Sequence, residues 1–182
     1  GKDAGAATTT GRYNTIVGFE ALSTNRDGDY NTALGYQALK TYEAESDAEG
    51  GNTAVGYLAG TAVTTGVGNV LMGSTTGDAL QTGDHNTFIG GGAGGSTTLA
   101  SYVTAVGNGA AAGALTAAAN GSVAIGKDAL EANTSGAGNV AIGYEALKTN
   151  QDGDYNTAVG YQALENHEPA DGEGGNTAIG YN

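Results

Sequence analysis

The pattern of polar and apolar positions reduces to one five-residue unit, polar, β-branched, apolar, apolar, glycine, which recurs ten times. The copies run from "NTIVG" at 14 through "NTALG" at 31, "NTAVG" at 52, "NVLMG" at 69 and "NTFIG" at 86. They continue with "VTAVG" at 103, "SVAIG" at 122, "NVAIG" at 139, "NTAVG" at 156 and "NTAIG" at 176. Successive closing glycines (Gly18, Gly35, Gly56, Gly73, Gly90, Gly107, Gly126, Gly143, Gly160, Gly180) are 17, 21, 17, 17, 17, 19, 17, 17 and 20 residues apart. This is a 17-residue period with three insertions.

Alternation places the Thr or Val and the aliphatic residue before the glycine on one face of a short strand. The intervening residue, usually Ala but Ile16, Leu71 and Phe88 in three copies, falls on the other. After the glycine most copies read aromatic, polar, Ala, Leu, as in "YQAL" at 36 and 161 and "YEAL" at 144, which predicts a second short strand after a bend. A glycine seven residues before the closing one (Gly11, Gly28, Gly66, Gly83, Gly136, Gly153) predicts a turn with positive φ.

Two short strands and two bends cannot stand alone as a hairpin, but they make one coil of a β-solenoid whose equivalent positions stack about 4.8 Å apart. Asn at the head of eight pentapeptides (Asn14, Asn31, Asn52, Asn69, Asn86, Asn139, Asn156, Asn176) suits a ladder in which each amide bonds to the equivalent residue above and below. One strand face fills the coil. The other is also apolar and needs a cover, which a homo-oligomer around a shared axis supplies. A longer repeat overlies the short one: Gly1-Lys2-Asp3-Ala4 matches Gly126-Lys127-Asp128-Ala129, 125 residues on. The reading is therefore all-β, about ten coils in a single repeat domain over 1–182, expected to be a segment of a longer fibre.

Composition agrees: 34 glycines, one proline and no tryptophan or cysteine cannot fill one thick core. Nineteen acids against six bases give a formal charge of −13, which repels nucleic acid and an anionic membrane surface. No apolar run approaches membrane-spanning length, so insertion of this segment into a membrane is not expected. His85 and His167 are the only histidines, no serine sits in a recognisable triad and no glycine-rich stretch carries a phosphate-binding lysine, so an enzyme is not expected.

The iterated "SVAIG", "NVAIG" and "NTAVGYQAL" units resemble the head repeats of YadA-like trimeric autotransporter adhesins, and the "GDYNTAVGYQAL" style resembles bacteriophage tail-fibre shafts. The resemblance covers essentially the whole chain. It implies a left-handed parallel β-roll, a homotrimer, and a place on a cell surface or virion, where an extracellular fibre presents surfaces to a receptor or glycan. The longer period and the added aromatic-Xaa-Ala-Leu segment depart from the adhesin pattern, so no ligand-binding residue carries over. Alternatives are an end-to-end filament subunit and an ice- or calcium-binding solenoid.

Three features bear on binding. "NRDGDYNT" at 25 and "NQDGDYNT" at 150 crowd acids into a turn, making Asp27, Asp29, Asp152 and Asp154 candidate calcium ligands, although sister turns "TGVGN" and "SGAGN" carry no acid and no full calcium-loop series follows. Phe19, Tyr36, Tyr57, Tyr144, Tyr161 and Tyr181 are expected to stack at one corner, interrupted by Ser74, Gly91, Asn108 and Lys127. Because Thr shares its strand position with Val70, Val123 and Val140, it reads as an inward filler, which argues against an ice face. The insertions at 41–51 and 165–175, holding eight of the 19 acids, are expected to protrude as solvent loops, and the Ala-rich coil at 108–121 as a bend or tighter contact.

Overall fold

The structure, a computed structural model, describes residues 1–44, 50–167 and 174–182. The central segments of both acidic insertions lie outside the described residues, and so does the expectation that they protrude.

Each pentapeptide forms one three-residue strand: β1 (Thr15–Val17), β2 (Thr32–Leu34), β3 (Thr53–Val55), β4 (Val70–Met72), β5 (Thr87–Ile89), β6 (Thr104–Val106), β7 (Val123–Ile125), β8 (Val140–Ile142), β9 (Thr157–Val159) and β10 (Thr177–Ile179). They pair in sequence order as one parallel ten-stranded sheet. The register is direct, Thr15 opposite Thr32 and Thr32 opposite Thr53, so every position stacks on its own counterpart. Nine turns of a β-solenoid separate β1 from β10, a rise of roughly 43 Å. The 108–121 coil carries a single 3-10 turn, Ala117–Ala119. Among the described residues no helix is long and apolar enough to cross a membrane.

Inside the coil, volume is traded between two columns. The middle strand residue is buried in β2 through β9, and so are the Ala-Leu pairs Ala21-Leu22, Ala38-Leu39, Ala129-Leu130 and Ala146-Leu147 that follow closing glycines, with Leu164 half-buried. Where the strand supplies Ala, as at Ala33, Ala54, Ala141 and Ala158, Leu22, Leu39 and Leu147 fill the space. Where it supplies Phe88, the partner is Gly94, and a Cβ there would lie 2.4 Å from the ring. Close packing fixes these pairings.

The Asn ladder holds the coils together. Asn69 Oδ1 accepts the Asn86 backbone N–H at 2.9 Å, and Asn69 Nδ2 donates to Gly83 O at 2.9 Å and to Asn52 Oδ1 at 3.1 Å. Equivalent bonds join Asn14 to Asn31, Asn31 to Asn52, Asn52 to Asn69 and Asn139 to Asn156. Ser122 substitutes more loosely, its Oγ accepting Asn139 N–H at 3.2 Å. Each fully buried amide thus satisfies a backbone group of the next coil.

Two local expectations are corrected. The aromatic-Xaa-Ala-Leu segment is not a strand: its second and fourth positions are left-handed, as at Gln37 (φ 54) and Leu39 (φ 49). The alternation turns successive N–H groups to opposite neighbours, Gln37 to Phe19 O at 2.8 Å and Leu39 to Ala59 O at 3.1 Å. Those bonds offset the left-handed cost of about 1–2 kcal/mol per residue. The turn glycines Gly11, Gly28, Gly66, Gly83 and Gly136 do not have positive φ. They are glycine because coils approach closely: a Cβ on Gly83 would lie 2.1 Å from Ala100 O. Positive φ falls two residues later, at Tyr30 (φ 59) and its counterparts.

Candidate functional site

The strands leave one face open. Four columns stand on it: the residue before each Asn, the Thr/Val column, the aliphatic column ending each strand, and the residue after the closing glycine. Of 18 exposed large apolar side chains, all but Leu99 belong to these columns. Val17, Leu34, Met72, Ile89, Ile125, Ile142 and Ile179 form the exposed aliphatic ridge. Of the chain's 19 acids and six bases, only Lys127 and its counterpart Lys2 stand in the four columns, and no acid does. An acid-free, largely apolar strip on so acidic a chain is unusual for a surface that stays in water.

The Thr column is therefore outward, not inward as its exchange with Val suggested. The middle Ala column fills the coil instead, because alternation fixes only that the two faces differ.

Two aromatic ladders flank the ridge. Phe19, Tyr36 and Tyr57 stack with centroids 5.3 and 5.4 Å apart, and Tyr144, Tyr161 and Tyr181 at 4.9 and 5.2 Å. Ser74, Gly91 and Asn108 interrupt the column, and Lys127 lies over the Tyr144 ring at 5.4 Å. The second ladder, Tyr13 on Tyr30 at 5.0 Å and His85 on Tyr102 at 5.5 Å, was not anticipated as a stack. Its signal was the aromatic just ahead of the pentapeptide in four coils (Tyr13, Tyr30, Tyr102, Tyr155) and His85 in a fifth.

Charge collects beyond the first ladder. Lys40 Nζ meets Glu20 at 2.7 Å, and Lys148 Nζ meets Glu145 at 2.8 Å and Glu131 at 3.5 Å. Lys40 and then Gln37 hold Glu20 below the ordinary carboxylate range, and Lys148 and Gln162 do the same for Glu145. Hydrogen bonding from Tyr144 to Glu145 pushes the phenol up.

The acidic turns are occupied with backbone. Asp29 Oδ1 accepts the Arg12 N–H at 2.5 Å and Asp154 Oδ1 the Ala137 N–H at 2.7 Å, each in the preceding coil. Asp84, not singled out from the sequence, caps Val67 N–H at 2.9 Å in the same way. Asp27 accepts the hydroxyls of Thr9 and Thr10, at 3.3 and 2.5 Å. Asp152 is exposed and has no hydrogen bond or ion pair among the described residues. The two acid pairs sit seven coils apart, roughly 34 Å along the rod, so one chain does not bring them together. Among the described residues no three His, Asp or Glu side chains converge as a metal site.

In comparison with known proteins, no family model, no curated protein and no solved structure matches the chain.

Proposed function

We propose that the chain is a structural and adhesive segment of an extracellular fibre, a phage tail fibre or bacterial surface adhesin, in which three copies wind as left-handed β-rolls about a common axis. Handedness and chain number rest on the repeat resemblance. The observation that carries the reading is the acid-free, apolar outer face. Its length of roughly 43 Å and width of roughly 20 Å give an area of about 900 Å². One partner contributes about 800 Å² to a standard specific interface. The direct register supports its use between copies, since identical columns on parallel chains present the same profile at every coil. The mechanism is rigidity, reach and multivalent display.

Light scattering on the intact chain across a concentration series tests this. A fixed trimer that dissociates in the double variant Ile89→Lys/Ile125→Lys, with unchanged circular dichroism, is expected. A chain that stays monomeric up to millimolar concentration overturns it.

The outward Thr column favours one rival, an ice-binding face, because it removes the sequence argument against that reading. The aromatic ladders standing beside the column weigh against it, and thermal hysteresis measurements separate the two.

A further inference from the structure

The first aromatic ladder and the charged ladder beside it vanish together in the middle of the rod. Where other coils carry Tyr36, Gln37 and Lys40, or Tyr144, Glu145 and Lys148, the fifth coil carries Gly91, Gly92 and Gly95. The result is a shallow, wide-open cavity of about 550 Å³ lined by Thr75, Asp78, Ala79, Gly92, Gly95, Ser96 and Ala112. That lies within the usual volume of a small-ligand site.

Folding does not explain the missing side chains. Gly92 has φ +68, but the equivalent positions hold Glu20, Gln37, Thr75, Glu145 and Gln162 in the same left-handed region. A Cβ on Gly92 would meet nothing within 4 Å, whereas one on neighbouring Gly94 would strike Phe88. A Cβ on Gly95 would lie nearest Gly92 O, at 3.1 Å, and Asp78 Oδ1, at 3.7 Å, with no contact under 3.0 Å. Gly94 is thus required by packing, while Gly92 opens onto space.

The chemistry of the lining narrows the ligand. Asp78 is the one charged group in it and has no ion pair among the described residues. Partial burial pushes its carboxyl up. A single carboxylate cannot hold a metal ion alone, and on a chain of charge −13 it disfavours anions. Carboxylate, Thr75 and Ser96 hydroxyls and exposed backbone together suit a ligand rich in neutral hydroxyl donors.

The ladder adds an apolar platform. Stacked rings show mostly their edges to solvent, but Tyr57 ends its stack, and the face away from Tyr36 looks over Ser74. Tyr57 adjoins the cavity, its carbonyl accepting the Thr75 N–H at 2.8 Å. A sugar ring offers both a hydroxyl edge and an apolar C–H face.

We infer that the mid-rod cavity at Thr75, Asp78, Gly92, Gly95 and Ser96 binds a neutral saccharide. This extends the fibre reading: the cavity lining stands in the charged columns beside the proposed interface, and only the Tyr57 platform belongs to both.

The test uses the intact chain, amide NMR, and four probes: cellohexaose, maltohexaose, chitohexaose, and sialyllactose as an acidic comparison. At least one neutral probe is expected to shift the amides of Thr75, Gly92, Gly95 and Ser96. Asp78→Asn should weaken that probe about tenfold. Gly92→Gln/Gly95→Lys, which restores the side chains of the second coil, should abolish the shifts with the rest of the spectrum intact. Absence of shifts with all three neutral probes, preference for sialyllactose, or shifts that persist in the filled variant would each overturn the inference. A monomeric chain that still gives the expected shifts would refute the fibre reading alone.

Discussion

Replacing the Asn69 amide nitrogen with oxygen tests the buried ladder without opening a cavity. In Asn69→Asp the side chain keeps its volume and still accepts the Asn86 N–H. The two bonds donated by Nδ2, to Asn52 Oδ1 and Gly83 O, become contacts between oxygen acceptors. Gly83 O loses its donor, at about 1–3 kcal/mol, while Asn52 Oδ1 keeps the Asn69 backbone N–H and loses one bond of about 0.5–1.5 kcal/mol, so the substitution costs about 1.5–4.5 kcal/mol before the charge is counted. Burying the carboxylate adds a pH dependence. Its folded-state pKa rises above the unfolded value of about 3.9, so the ionisation penalty is absent below that pH and grows by about 1.4 kcal/mol per unit above it, until the folded carboxyl ionises. The parent chain supplies the correction for every other titration.

Urea titrations of parent and variant at pH 5 and pH 7.5, both above the pI of about 4.1, give the difference directly. Asn69→Ser provides the scale. Ser122 already occupies the ladder with a longer acceptor bond, so this substitution should cost about 1–2 kcal/mol and show no pH dependence. A difference for Asn69→Asp below about 1 kcal/mol, or one equal at both pH values, would refute the account of the ladder as a set of obligatory buried bonds.

Other consequences follow from particular positions. Gly73→Ala should cost about 3 kcal/mol or more in thermal melts, because its Cβ would lie 2.6 Å from Gly90 O at φ +145, while Gly51→Ala, with nothing within 4 Å, should cost about 1 kcal/mol. Tyr42 is buried, and burial with the charges of Asp84 and Glu43 pushes its phenol up to about 12. Since the folded value exceeds the unfolded one of about 10, its contribution is intact below pH 10 and is lost as pH rises toward 12. Tyr42→Phe should therefore resist alkali better than the parent in urea titrations at pH 8 and pH 11. Asp84→Asn should leave stability unchanged, because the amide oxygen can still accept Val67 N–H, whereas Asp84→Leu should cost about 1 kcal/mol by the same assay.

The period, the ten strands, the Asn ladder and the first aromatic stack were legible because parallel coils in direct register repeat their chemistry at a fixed interval. Strand orientation was only half legible. In a Thr-Ala-Val strand every side chain can face a core, so period-two alternation separates the faces without naming the inner one. The decisive clue lay across the coil, where Phe88 coincides with glycine at 94 and Ala33 with leucine at 39. Alternating left-handed residues at Gln37 and Leu39 were hidden for a different reason. Their intrinsic preference is for strand or helix, and bonds to two neighbouring coils override it.

The acidic turns carry the same lesson into function. Asp29, Asp84 and Asp154 occupy one column with Ser101 and Asn120, and each offers a side-chain oxygen to the backbone N–H of the preceding coil. What these five residues supply is an acceptor, and the negative charge is incidental, since a hydroxyl serves at Ser101 and an amide at Asn120 while Gly50, Val67 and Ala137 in the same column offer none. The beneficiary sits 17 or 19 residues earlier, so local sequence resembles a cation loop while the bond runs along the rod. A calcium ion drawing on Asp29 would have to compete with the Arg12 N–H for the oxygen that closes the coil. The repeated "GDYNT" is thus better understood as the seam between successive coils, and the surface proposed to meet a partner is the acid-free one beside it.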